Sequence, residues 1–145
     1  MIFQKEQLLD RSQEEVFDFL ICPHRVIQLT PPEMNMTLTE APQTMQIGSE
    51  IHLQGRRWGV TSRAVHEVIL LQRPELIVVE QRKGPFAKWK HTQEIHRTEN
   101  GTRLVDVIEF QKPSGMLGLM LTESRILSDL ETIFAYRQER LQELF

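Results

Sequence analysis

The apolar residues of this chain change their spacing over about the last thirty positions, and this change constrains the fold more than any other feature. There they recur at every third or fourth residue, which predicts an amphipathic helix of some twenty or more residues, about 35 Å long. A helix of this length is too long to cap one edge of a small sheet, so we expect it to lie across the sheet. Charged residues, Arg137 among them, largely fall away from its apolar stripe. The stripe consists of Leu119, Ile126, Leu127, Leu130, Ile133, Phe134, Leu141 and Leu144.

The residues before that helix predict an antiparallel sheet. A first strand at about residues 2–9 is followed by two short helices. Ser12 and Glu15 have the spacing of a capping box at the start of the first, and Pro23 suits the first position of the second. Asn100-Gly101 is the strongest hairpin signal, because a type I′ turn needs positive φ at both central residues. Six further strands are predicted at about 35–40, 49–55, 60–71, 75–83, 87–97 and 102–110.

These elements together predict an α+β helix-grip fold. It consists of a curved antiparallel sheet of about seven strands, mostly a meander, wrapped around the long C-terminal helix, with two short helices after the first strand. At this length we expect residues 1–145 to form a single domain. Such a fold leaves space between sheet and helix, which water, a ligand or large side chains must fill.

Composition excludes several classes of function. The net charge is −3, so a nucleic-acid partner is not indicated. Cys22 is the single cysteine and excludes an internal disulfide framework or a cysteine-based zinc site. The first residues turn polar too soon for a signal peptide, and no apolar run reaches the roughly 18 residues of a membrane span. We therefore expect a cytoplasmic protein with no integral membrane segment.

The histidines do not predict a metal site. His91 and His96 lie five residues apart on one predicted strand and therefore point to opposite faces. His52 and His66 could meet across a hairpin, but two ligands do not make a zinc site. The sequence contains no phosphate-binding loop and no dinucleotide fingerprint, so we expect neither a metal nor a cofactor.

The strand after Gly84-Pro85 carries the most informative pattern for function. Trp89, His91, Gln93 and Ile95 share one face, because strand side chains alternate with period two, and the residues between them are mostly charged. A face that mixes bulky apolar with neutral polar groups is expected of a lined pocket. The alternative is that Trp89 only packs and His91 is bound to a neighbouring strand.

Asp106 is predicted to be buried, because Leu104, Ile108 and Phe110 share its strand face. A carboxylate among apolar neighbours is either paired or shifted in pKa. His91 on the preceding strand is the candidate partner. We expect a structural bond, since no nucleophile is evident, with a catalytic dyad as the alternative.

Residues 113–121 form an apolar, glycine-interrupted and methionine-rich segment just before the long helix. Methionine suits adaptable contacts and glycine suits hinges, so Met116 and Met120 could belong to a lid over a pocket mouth. An ordinary helix lead-in packed on the sheet edge explains the pattern equally well.

The tip of the first hairpin of the meander, residues 55–59, carries Arg56, Arg57 and Trp58. This group could touch an anionic membrane or a partner. Solvated loop charges explain the same residues, and we prefer that interpretation.

Several short segments resemble the START/polyketide-cyclase-like superfamily of helix-grip proteins, also called SRPBCC, and within it a group of small stand-alone bacterial ligand-binding-like domains. The resemblance spans nearly the whole chain and implies the same fold. The superfamily contains lipid carriers, hormone receptors, aromatase/cyclases, dioxygenase subunits and chaperone activators, so it implies no single function. The matching segments are Met45-Gln46-Ile47-Gly48-Ser49, Gly84-Pro85-Phe86 with Trp89 and His91, Gly101-Thr102 with Asp106, Pro113 with Gly115, and Ile133-Phe134-Ala135-Tyr136-Arg137.

The function that these patterns favour is non-catalytic binding of a small hydrophobic or aromatic molecule, such as a lipid, a quinone or an aromatic polyketide, between sheet and helix. One alternative is a polyketide cyclase or dehydratase in which His91 transfers a proton and Asp106 orients it. Another is a partner-binding module whose cavity is filled by its own side chains. The oligomeric state is left open. The residues expected to contact the ligand are Phe86, Trp89, His91, Gln93, Asp106, Met116 and Met120.

Overall fold

The structure is a computed structural model that describes residues 1–57 and 60–145. Seven strands and four α-helices follow one another, with two short 3-10 helices, Ile27–Leu29 and Pro32–Met34, after the second helix. The predicted order of one strand, short helices, six strands and a long helix is confirmed. The bounds are β1 Ile2–Leu9, α1 Gln13–Leu20, α2 Pro23–Val26, β2 Thr37–Glu40, β3 Glu50–Arg57, β4 Val60–Gln72, β5 Leu76–Lys83, β6 Lys88–Thr98, β7 Gly101–Gln111, α3 Gly115–Met120 and α4 Glu123–Leu144.

All seven strands belong to one antiparallel sheet in the order β1-β7-β6-β5-β4-β3-β2. Strands β2 to β7 form the predicted meander, and β1 pairs with β7 as the edge strand at that end of the sheet. The register places Gln93 of β6 directly opposite Asp106 of β7. Because directly opposed residues share a face, the face of β6 predicted to line a pocket meets the face of β7 that carries Asp106.

The two short helices begin where the sequence predicts. Ser12 caps α1: its hydroxyl accepts a hydrogen bond from the Glu15 backbone N–H, and the Glu15 carboxylate accepts one from the Ser12 N–H. Pro23 is the first residue of α2. A backbone N–H at this position has no partner within the helix, so proline can stand there without loss of a helical hydrogen bond. Thr122 caps α4 by accepting from the backbone N–H of Arg125.

Helix α4 runs for 22 residues and buries Ile126, Leu130, Phe134 and Leu141, as the apolar stripe predicts. Two details of that stripe are corrected. Leu119 lies on α3 and is 85% exposed, because the chain breaks before α4 begins. Arg137 does not fall away from the stripe: it is 9% exposed, since positions 130, 134, 137 and 141 follow the three- and four-residue spacing of one helix face.

The hairpin between β6 and β7 is present, but its turn differs from the predicted one. Thr98 pairs with Gly101, so Glu99 and Asn100 form the two-residue loop and Gly101 begins β7. Asn100 does not have the positive φ that a type I′ turn requires; among the described non-glycine residues only Asn35 has positive φ. A Cβ atom on Gly101 would lie 2.2 Å from the carbonyl oxygen of Leu9, so the glycine permits the close approach of β1.

The buried apolar residues form two clusters between the sheet and the helices. The first apolar cluster joins α1 to the far end of α4 and is centred on fully buried residues such as Phe17 and Leu141. The second apolar cluster lies under the beginning of α4 and consists of Phe3, Ile108, Phe110, Ile126, Leu130 and Phe134. Both lie on the side of the sheet that faces α4, which we call the inner face.

Trp58 and Gly59, at the predicted tip of the hairpin between β3 and β4, lie outside the described residues. In the part of the chain that is described, no helix has the length and apolar character needed to cross a membrane.

The capping box makes a direct test of the local folding signal. We expect Ser12→Ala to lower the free energy of unfolding by about 1 kcal/mol, because one helix-start N–H loses its acceptor. Ser114→Ala is the matched control, since Ser114 also stands at a helix start but its side chain makes no capping bond. Urea unfolding followed by circular dichroism measures both; equal losses in the two variants would contradict the capping role.

Candidate functional site

A hydrogen-bonded group of polar side chains lies on the inner face, where β6 and β7 pair. The Nε2 atom of His91 is 2.7 Å from Oδ1 of Asp106, and the side-chain nitrogen of Gln93 donates to the same oxygen at 3.3 Å. Asp106 is 3% exposed and Gln93 6% exposed. The predicted pairing of His91 with Asp106 is therefore confirmed.

Arg137 of α4 reaches the same carboxylate from the opposite layer. Its Nη2 atom lies 3.9 Å from Oδ1 of Asp106, which is an ion pair but too long for a hydrogen bond. The Nε and Nη2 atoms of Arg137 are buried and have no hydrogen-bond partner among the described residues. We refer to His91, Gln93, Asp106 and Arg137 as the buried polar cluster.

The electrostatics of this cluster keep Asp106 ionised. Burial acts to raise the pKa of the carboxyl, but the positive charge of Arg137 and the hydrogen bonds from His91 and Gln93 outweigh it, so the pKa lies below its ordinary value. A buried carboxylate with one cation and two donors is held in place, whereas loss of its partners would leave an uncompensated charge.

His66 of β4 is a further polar residue of the inner face, and the sequence patterns did not single it out for this role. Burial lowers the pKa of His66 to about 4, and the nearby His91 contributes to the lowering. The proposed meeting of His52 and His66 does not occur, because His52 pairs with Val65 and His66 with Ile51, so the two rings project from opposite faces. Because its pKa is about 4, the imidazole of His66 is neutral at neutral pH.

Aromatic rings line one side of the buried polar cluster. The His91 ring stands edge-on to Phe134 with centroids 6.1 Å apart, and Phe134 packs on Phe3 at 5.2 Å. The rings of Phe86 and Trp89 are in tilted contact, with centroids 4.7 Å apart, and are only partly buried against the second apolar cluster. The two predicted aromatic residues therefore lie at the accessible end of that cluster, next to polar groups that are buried except for His91, which is partly exposed.

Met116 and Met120 lie on α3 and are 79% and 77% exposed. Gly115, at the start of this helix, has a φ of +71°, a conformation that glycine adopts at little cost. Leu121 follows directly and packs against the second apolar cluster. The methionines thus stand close in sequence to the aromatic end of the site, and their contact with a ligand stays a prediction.

The inner face is not fully covered by α4. Towards β3, β4 and β5, its residues Leu53, Ala64, His66 and Val79 are only partly buried. Two surface grooves lie elsewhere: one of about 420 Å³ between α4 and residues 28–32, and one of about 570 Å³ along the ends of β1, β6 and β7. Trp89 borders the second groove, whereas His91, Gln93 and Asp106 border neither.

No metal site is evident among the described residues. Residues 1–57 and 60–145 contain no group of three or more His, Cys, Asp or Glu side chains placed to hold a metal ion. Cys22, between α1 and α2, is a free cysteine whose thiol lies 3.4 Å from the carbonyl oxygen of Asp18 in α1.

The structure superposes over its whole length on solved helix-grip structures of the Bet v1 and SRPBCC-like kind, so the predicted fold is confirmed. No family model matches the sequence, and no curated protein is significantly similar to it.

Three solved structures illustrate the match. Protein CV1439 from Chromobacterium violaceum has a TM-score of 0.77 at 14% identity, covering 99% of this chain and 95% of that one. TTHA0849 from Thermus thermophilus has a TM-score of 0.73 at 13% identity over 97% of both chains. Major latex-like protein 151 from Panax ginseng has a TM-score of 0.66 at 12% identity, covering 97% of this chain and 96% of its own. At these identities the likeness establishes the fold alone.

The lowered pKa of His66 predicts a pH dependence of stability. Between pH 6.5 and 4 the unfolded chain binds a proton at this residue and the folded chain does not, so stability present above pH 6.5 is lost as the pH falls. We expect His66→Gln to reduce the loss between pH 7.5 and 5.0 by about 2 kcal/mol relative to wild type. Urea unfolding at both pH values measures the difference.

The control for this experiment is His24→Gln, since His24 is an exposed residue of α2. It should retain the pH dependence of the wild type. An unchanged pH dependence in His66→Gln would show that His66 is solvated in the folded state.

Proposed function

We propose that this chain is a cytoplasmic protein that binds a small hydrophobic or aromatic molecule between α4 and the inner face of the sheet. The observation that carries the proposal is the buried polar cluster, whose groups lie beside an aromatic cluster with a partly exposed end. Pockets for small molecules combine these two elements: a mostly apolar lining and a few polar groups that fix orientation.

The polar groups offer both donors and acceptors to a ligand. Because ionised Asp106 can only accept, Nε2 of His91 donates to it, and a neutral imidazole then keeps Nδ1 as an acceptor. Gln93 donates through its nitrogen and retains its amide oxygen as an acceptor. Asp106 therefore acts mainly by orienting His91 and Gln93 towards the polar end of the ligand.

The apolar body of the ligand would lie against Phe86 and Trp89. Burial of about 300 Å² of ligand surface contributes roughly 7 kcal/mol before the entropic costs of association. This magnitude corresponds to micromolar affinity at best unless polar contacts add to it. The superfamily that the sequence resembles contains lipid carriers and hormone receptors, which supports a binding role.

The experiment that tests the proposal is native mass spectrometry of protein purified gently from its own host. We expect a reproducible mass excess that disappears on denaturation and gives the mass of the ligand. No excess, together with no thermal shift across a panel of lipids, quinones and aromatic polyketides, would favour a partner-binding module with a filled cavity.

The lid proposed for α3 has its own test. Met116 and Met120 are exposed, so replacing both with Gln should leave the thermal midpoint unchanged and weaken ligand binding roughly fivefold, because apolar contact area is lost. Ile47→Gln is the matched control, since Ile47 is also an exposed apolar residue, at 64%, but lies in the segment between β2 and β3. Equal affinity in all three proteins, measured by titration calorimetry, would exclude α3 from the site.

A cyclase or dehydratase activity is the second candidate, and the 2.7 Å contact between His91 and Asp106 is the observation that favours it. In that case Nδ1 of His91 would exchange the proton and Asp106 would hold the ring in the required tautomer. Loss of turnover of an aromatic polyketide substrate in His91→Ala, with folding intact, would support catalysis; unchanged turnover would exclude this mechanism.

A further inference from the structure

We propose that the ligand carries a carboxylate and that Arg137 binds it through the free edge of its guanidinium. The inference rests on the proposed function, since it names the chemical class of the molecule bound at the same site. The sequence did not predict Arg137 as a site residue. Its role follows from three observations: its burial, its unpartnered donors and its surroundings.

The two unpartnered nitrogens of Arg137 belong to one edge of the guanidinium. Nε and Nη2 present parallel N–H groups on that edge, spaced to match the two oxygens of a carboxylate. A buried N–H without an acceptor has lost its hydrogen bond to water and gained none in return, so two such groups side by side imply an acceptor supplied from outside the chain. A ligand carboxylate supplies both acceptors at once.

Asp106, the nearest anion of the chain itself, does not accept a hydrogen bond from either of these nitrogens. Oδ1 of Asp106 is 3.9 Å from Nη2 and already accepts hydrogen bonds from His91 and Gln93. Asp106 thus holds the arginine in the interior by its charge without occupying the donors. This arrangement positions Arg137 for a ligand, because the desolvation of the cation is already offset by the carboxylate.

The charges of the cluster can accommodate a second anion. Arg137 and Asp106 balance each other, and His66 is neutral, so a bound carboxylate adds one negative charge. The unpartnered N–H groups of Arg137 would meet that charge directly, while Asp106 stays hydrogen-bonded to His91 and Gln93. Lys5, opposite Asp106 on β1, is paired with Glu131 of α4 and is not needed for the balance.

The surroundings select an apolar acid, and an aromatic one fits them best. The guanidinium carbon of Arg137 lies 5.6 Å from the centre of the Phe134 ring, and Phe134 is in turn edge-on to His91. Beyond them Phe110 contacts Phe86 and Trp89, so the body of the ligand would meet ring faces and edges. A carboxylate attached to a ring system joins both features in one molecule.

Two matched pairs of probes test the inference by titration calorimetry: 2-naphthylacetic acid with 2-(2-naphthyl)ethanol, and octanoic acid with 1-octanol. Within each pair only the head group differs. We expect the wild-type chain to bind each acid at least tenfold more tightly than its alcohol. In Arg137→Met, which removes the donors and keeps an apolar side chain, acid and alcohol should differ by less than about threefold.

Arg137→Lys is the second variant, because it keeps a cation beside Asp106 and so protects folding if the methionine variant unfolds. It lacks the two-pronged edge and should reduce the acid preference at least threefold. Arg140→Met is the control for removing an arginine from α4, since Arg140 is partly exposed and bonded to Glu143. It should keep the full wild-type preference.

The outcomes separate this inference from the proposed function. Equal binding of acid and alcohol to the wild type would mean that water occupies the arginine edge, which overturns the carboxylate while leaving the pocket in place. An acid preference that survives intact in Arg137→Lys and Arg137→Met would also overturn it. No binding of any of the four compounds to the wild type would count against the pocket itself.

Discussion

The ion pair between Asp106 of β7 and Arg137 of α4 joins the two layers of this fold at their centre, and the arrangement around it depends on that pair. Each charge is buried, and neither would be tolerated without the other, because desolvating a single ion costs several kcal/mol. The pair ties α4 to the sheet at β7, between the two apolar clusters that α4 also contacts. It also draws His91 and Gln93 to the same carboxylate, so the polar groups converge at one place.

This polar centre lies alongside two different apolar environments. The first apolar cluster packs under α1, and its buried residues have almost no exposure, as expected of a packed core. The second is built largely from aromatic rings, and its outer members Phe86 and Trp89 remain partly exposed. A core needs only the first kind of packing. The second, placed next to unpartnered donors, is the arrangement that a ligand with an apolar body and a polar end would complete.

The features that the sequence predicts correctly are mostly those that depend on residues close together in the chain. The capping box at Ser12, Pro23 at a helix start, the order of the strands and the length of α4 all depend on neighbouring residues, and all are confirmed. The pairing of His91 with Asp106 was also predicted, because two adjacent antiparallel strands with alternating faces leave few registers. The turn at Asn100-Gly101 was placed one residue too late, since the packing of Gly101 against Leu9 decided the register there.

The sequence by itself determined the order of elements, the faces of the strands and the identity of the polar residues on β6 and β7, because these follow from periods of two and 3.6 residues. Only the tertiary structure decided that Arg137 is buried and that His66 faces His91. A charged residue on a helix is assigned to solvent by its type, and what overrides that assignment is a carboxylate more than thirty residues away in the chain. Contacts between layers have no period in the sequence, so the partner that makes burial of a charge favourable becomes visible only once the layers are packed.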